Sequence, residues 1–106
     1  MIVDHTPYTY LFIRKDLSVP QQLVQIAHAA HNAGHKFGAH SHMCVFEVSG
    51  ERKLLDAATF LEEQDIQYQM FHETDIGEHT AICTTPITGN LRTPMRKFKM
   101  YSNPTV

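Results

Sequence analysis

The run from Tyr8 to Phe37 constrains this chain more than any other. Tyr8 to Ile13 is almost continuous in aromatic and branched residues, the pattern of a strand covered on both faces. Arg14, Lys15 and Asp16 give it a polar end. Ser18 followed by Gln21 matches a capping box, in which the serine hydroxyl accepts from the backbone N–H at 21 and the glutamine reaches back. Pro20 suits a first helical turn, where no N–H is required. A helix therefore starts at Ser18 and runs to about Gly34 or His35, by the glycine stop signal. At ~100° per residue, Leu23, Ile26, Ala27, Ala30, Gly34 and Phe37 gather on one flank, predicted to face a sheet. Gln21, Gln25, His28 and Asn32 gather on the other, with His31 and His35 at the border.

Beyond this unit the signals alternate. Residues 34–42 are a connector rich in glycine and histidine. Met43 to Ser49 reads as a second strand. Leu54, Leu55, Ala58 and Leu61 recur at helical spacing within 50–64 and predict an amphipathic helix. Ile66 to Phe71 alternates like a strand near a sheet edge, His72 to His79 is a polar loop, and Thr80 to Thr84 is a strand stopped by Pro86. After Ile87, Thr93-Pro94 opens a short helix or the run 95–101 forms a strand; periodicity leaves both open. Residues 1–7 are expected to be a frayed arm.

The order strand, helix, strand, helix, strand, loop, strand is that of an α/β fold. It predicts a single domain over 1–106 with a four-stranded mixed sheet sandwiched by helices. The first crossover gives a parallel pair and the last two strands an antiparallel one.

Composition narrows the functional classes. The formal charge of -2 argues against a sequence-blind grip on nucleic acid, which needs a basic domain. No apolar run approaches the ~20 residues of a membrane span, so no membrane partner is expected. The first residues lack the basic segment and apolar core of a signal peptide. Cys44 and Cys83 lie in apolar runs without a C-x-x-C pair, so they read as buried thiols of a cytoplasmic protein.

The residues that bear chemistry fall in three groups. His28, His31 and His35 share one helical stripe, a weak zinc pattern because a third ligand two turns away lies too far. No metal and no cofactor are expected, and a histidine-based metal hydrolase stands as the outlying alternative. Arg14 and Lys15, with Arg92, Arg96, Lys97 and Lys99, are candidates for one positive surface that meets phosphate. Glu73, Thr74, Asp75 and Glu78 put acidic and hydroxyl groups on the polar loop, where they would face the Gln/His flank of the first helix as an acid–base pocket.

The motifs along the chain resemble those of the type 2 peptidyl-tRNA hydrolases. Arg14, Asp16 and Leu17 match an R-x-D-L-x-M element, with Val19 in place of Met. Gln25, His28 and Ala29 match Q-C-x-H-A on the helix. Thr74 and Ile76, then Gly77 and Thr80, resemble T-x-I followed by G-x-x-T, and the run 95–101 is similar to the closing H-L-K-L-Y. The resemblance covers nearly the whole chain and implies that family's fold and its metal-free hydrolysis of the ester joining a peptide to tRNA. It implies Gln21, Gln25, His28, Thr74 and Asp75 as the catalytic set. Arg14, Lys15, Arg96 and Lys97 would contact the phosphates of a tRNA or other RNA end, and a homodimer is implied. Two departures stand out. The family's helix-start lysine falls near Gln21, a neutral amide, and its aspartate falls near Met70, with Glu73 or Asp75 as nearby substitutes. The alternative is a binding module of the same fold, with catalysis lost, for a nucleotide, an RNA end or a protein.

Overall fold

The structure is a computed structural model and describes residues 6–38 and 41–102. Eight elements follow in order: β1 (Tyr8–Arg14), α1 (Val19–Phe37), β2 (His42–Val48), α2 (Glu51–Glu63), β3 (Tyr68–Glu73), β4 (Glu78–Thr84), a 3-10 segment (Gly89–Lys97) and β5 (Lys99–Met100). The strands form one mixed sheet in the order β3-β4-β1-β2-β5. β1 is central and parallel to β2, and it pairs antiparallel with β4. β3 and β4 form an antiparallel hairpin, with β3 at the edge.

The sheet has five strands rather than the expected four. The fifth is short: Lys99 pairs with Glu47 and Met100 with Phe46. Both readings of the tail are realised only in part: a 3-10 segment that begins at Gly89, with Pro94 inside it rather than opening it, and then a strand of two residues in place of the run 95–101. The polar loop is also shorter than expected. β3 extends to Glu73 and β4 starts at Glu78, so only residues 74–77 turn. Gly77 sits at φ 66°, a left-handed conformation that glycine adopts without steric cost.

Strand alternation in β1 divides the core. Tyr10 and Phe12 point to one side, where Leu54, Ala57, Ala58 and Leu61 of α2 pack with Phe46, Ile82 and Met95. Phe98 closes that layer, its ring edge-on to Phe12 at 4.8 Å. Leu11 and Ile13 point the other way, against Ala29 and Ala33 of α1, with Ala81 and Cys83. Both cysteines are free, Cys83 buried and Cys44 half-buried.

Helix α1 begins as its sequence dictates: Ser18 and Gln21 form both halves of the capping box. It ends later than expected, at Phe37, with Gly38 in the left-handed conformation at φ 65°. Its buried face is also rotated from the expected one. Gln22, Gln25, Ala29 and Ala33 are buried, whereas Leu23 is 64% exposed. Ile26, Ala30 and Phe37 still pack at the margin. The rotation has a physical cause in paired amides. Gln22 Nε2 donates to Leu17 O at 2.8 Å, and its Oε1 accepts from Tyr101 Oη at 2.7 Å. A buried amide whose hydrogen bonds are made avoids most of its desolvation cost, and the alanines allow close approach to the sheet.

Candidate functional site

A cleft of about 260 Å³ lies between the first turns of α1 and the β3–β4 hairpin. Its apolar walls are Leu17, Pro20, Val24 and Ile76. Its polar groups are Gln21, Gln25, Glu73, Asp75 and Thr80.

The polar floor is a hydrogen-bond chain. Thr80 Oγ1 donates to Gln25 Oε1 at 2.8 Å, and Gln25 Nε2 donates to Glu73 Oε2 at 3.1 Å. Gln25 and Thr80 are buried. The other oxygen of Glu73 accepts the backbone N–H of Asp75 at 3.3 Å. The chain orders a carboxylate at the cleft while leaving acceptor sites on it, since a carboxylate offers about four.

An irregularity in the hairpin puts Thr80 there. Phe71 pairs with Ala81, but His72 pairs with His79, so Thr80 has no partner across the strands. This is the two-against-one count of a β-bulge, which re-aims side chains and is frequent beside functional sites. Strict alternation would send Thr80 to the side opposite Ala81, away from α1. The bulge instead brings its hydroxyl to Gln25.

The structure brings together part of the expected set. Gln21, Gln25 and Asp75 line the cleft. Gln21 Oε1 is engaged by Ser18 N–H at 3.0 Å, which leaves its Nε2 without a partner among the described residues. Thr74 sits in the hairpin turn and His28 on the exposed side of α1; neither is part of the cleft wall. Glu73 and Thr80, which line the cleft, are not in the expected catalytic set. Thr80 belonged to the G-x-x-T pattern, but its inward aim depends on the bulge, which strand alternation does not reveal. His31 and His35 are exposed, and among the described residues no three His, Cys, Asp or Glu side chains are placed to share a metal ion. His40 lies outside the described residues.

The expected phosphate-binding cations are dispersed. Arg14 is buried, correcting its expected place on the surface. It donates from Nε and Nη2 to both oxygens of Asp16, and from Nη1 to Glu78 Oε1 and His79 O. Four of its five N–H groups are thereby committed. The hydrogen bond to Asp16 leads in holding the guanidinium above its ordinary pKa, against burial, and the same bond holds Asp16 below the usual carboxylate range. Lys15 lies 4.2 Å over the Tyr101 ring and pairs with Glu47 at 3.4 Å. Lys97 lies 4.1 Å over Phe60, in the layer of α2, whereas Tyr101 belongs to the layer of α1. The two lysines thus occupy opposite faces of the sheet. Arg96 is exposed.

A scan against protein-family models finds no match, and a search of curated proteins finds none. The fold is similar to that of a solved structure from Agrobacterium tumefaciens, described as a protein of unknown function. The two superpose with a TM-score of 0.71 at 12% identity, over 96% of this chain and 100% of that one. The likeness defines an α/β architecture with a mixed sheet. No helix among the described residues is long and apolar enough to cross a membrane.

Proposed function

We propose that the chain is a divergent relative of the type 2 peptidyl-tRNA hydrolases and hydrolyses an ester at the terminal ribose of tRNA. The observation that carries this reading is the Thr80–Gln25–Glu73 chain at the cleft floor. Gln25 and Thr80 are motif residues from distant parts of the sequence, and here they hydrogen-bond at 2.8 Å. Glu73 would take the part of the missing family aspartate. Its carboxylate accepts a proton from water, and the water oxygen attacks the ester carbonyl carbon. The tetrahedral oxyanion is met by amide donors, Gln21 Nε2 and the second N–H of Gln25. Collapse breaks the bond to the ribose oxygen, which leaves with the proton that Glu73 took.

These donors are neutral, so turnover is expected to be slow. Purified protein should release peptide from peptidyl-tRNA, and Glu73→Gln should lower the rate about 10²- to 10⁴-fold, the range for a general base. Intact substrate, beside a family enzyme that cleaves it under the same conditions, overturns the proposal. A second reading has its own support: among the described residues, no cationic side chain lines the cleft. A binding module that has lost catalysis would bind a ligand there without turnover.

A further inference from the structure

The cleft is divided by chemistry. Its floor is polar and fixed, with buried Gln25 and Thr80 held in the chain that ends on Glu73. Its walls are apolar. Leu17 comes from the turn after β1, Pro20 and Val24 from the first two turns of α1, and Ile76 from the tip of the hairpin. The hydrolysis proposed above engages the floor and leaves the walls without a task. Val24 is 51% exposed and Ile76 39% exposed, so neither is enclosed by the core. An ester carbonyl brought to Glu73 and Gln25 sits one bond from the Cα of the residue that bears it. The side chain of that residue therefore leaves the floor towards the walls. There it meets carbon, and removing apolar surface from water is favourable roughly in proportion to area. A polar side chain on the same walls gives up water without gaining a partner. The volume of about 260 Å³ falls below the ~300–1,000 Å³ of sites for drug-sized ligands, which fits one residue rather than several.

We infer that these walls select the residue that carries the ester. They take an apolar side chain of about leucine size, on a residue N-acylated as in a peptidyl group, and disfavour a polar or acidic one. Val24 and Ile76 are the specificity-determining pair, one from the helix and one from the hairpin. An acidic side chain also meets Glu73 and Asp75, and among the described residues no cationic side chain lines the cleft to offset them. The inference rests on the reading above for the place of the ester carbonyl, but its binding test needs no turnover.

The test uses the whole chain and probes that carry no ester: the N-acetyl α-methylamides of L-leucine, L-asparagine and L-aspartate. Each is titrated by nuclear magnetic resonance of the backbone amides. The leucine probe should shift Val24, Gln25 and Ile76. It should bind about tenfold more tightly than the asparagine probe, since a side chain laid on an open wall gains about half of what full burial gives. The aspartate probe should bind more weakly still. Val24→Ser and Ile76→Ser should each cut the preference for leucine about threefold without weakening the asparagine probe. Leu23→Ser, on the same helix but outside the cleft and 64% exposed, should leave the preference as it is. Equal or tighter binding of either polar probe overturns the inference. So does an equal loss in Leu23→Ser, or a leucine probe that leaves the cleft unshifted at tens of millimolar. One tRNA carrying each N-acetylated residue in turn then separates the two proposals. Val24→Ser should raise KM for the leucine ester and leave kcat unchanged, the sign of a contact made alike in ground and transition states. Selective amide binding with no ester cleaved sustains the side-chain preference and removes the hydrolase. Cleavage of all three esters at equal kcat/KM does the reverse.

Discussion

At the scale of single residues, Gln25 decides the site, because its amide joins a helix to both strands of a hairpin. Thr80→Val keeps the shape of the side chain but removes the hydroxyl, leaving Gln25 Oε1 buried without its donor. The expected loss is about 1–3 kcal/mol of stability, read from urea denaturation with an unchanged m-value. Thr80→Ser should recover most of it. Glu47 gives a second prediction. Burial pushes its carboxyl pKa up, yet the N–H of Ser102 with Lys99 and Lys15 outweighs that and holds it below the ordinary value. A depressed folded pKa adds stability above the unfolded value of about 4.3, and that stability is lost as the pH falls through the folded pKa. Glu47→Gln should therefore melt below wild type at neutral pH, and the two melting temperatures should converge as the pH falls below the unfolded value of about 4.3 and through the lower folded one. The place of Gln25 on the wall of the candidate cleft agrees with the expectation from its motif. Its burial was not legible in the sequence, since a glutamine at helical spacing with other amides reads as solvated until its acceptor and donor are in place.

At the scale of elements, capping and alternation carried information and amphipathicity misled. Ser18, Gln21 and Pro20 mark the start of α1 by chemistry that is local, so the expectation and the structure agree there. The rotation of α1 is a tertiary effect: Gln22 reaches Tyr101, 79 residues away, and Gln25 reaches Thr80, 55 residues away. No periodicity within 19–37 records those partners. Leu23→Lys is accordingly expected to change stability by no more than about 0.5 kcal/mol, although the residue is apolar. The closing segment shows the opposite case, because its local signals supported both a helix and a strand and the chain uses both. Phe98 secures it, with ring contacts to Phe12, Phe46 and Phe60. Phe98→Ala should cost about 2–4 kcal/mol, somewhat less than a fully enclosed phenylalanine because this one is half-buried. Equilibrium denaturation of both variants checks the contrast.

Across the whole molecule, the order of elements was readable because a buried central strand, a crossover helix and a terminal hairpin leave few arrangements of one sheet. Charge placement was not readable in the same way. Arg14, Lys15 and Lys99 look available in the sequence, yet each is paired with a carboxylate, and Lys15 and Lys97 lie on opposite faces of the sheet. This bears on the proposed RNA-linked substrate. Among the described residues no ion pair is formed by Lys36, Lys53, Arg96 or Lys97. They are spread over three elements, α1, α2 and the 3-10 segment, which carries Arg96 and Lys97 together. Only about three or four phosphates can then be neutralised together, and each contributes about 0.7–0.9 to the salt slope. Binding of deacylated tRNA, followed by fluorescence anisotropy over a range of potassium chloride, should give a slope no steeper than about -3. Replacing Arg96 and Lys97 by alanine should flatten it by about 1.5. A slope twice as steep would mean that the paired cations open to meet RNA, and the ion pairs of Arg14 would then be a closed state of the surface rather than part of the frame.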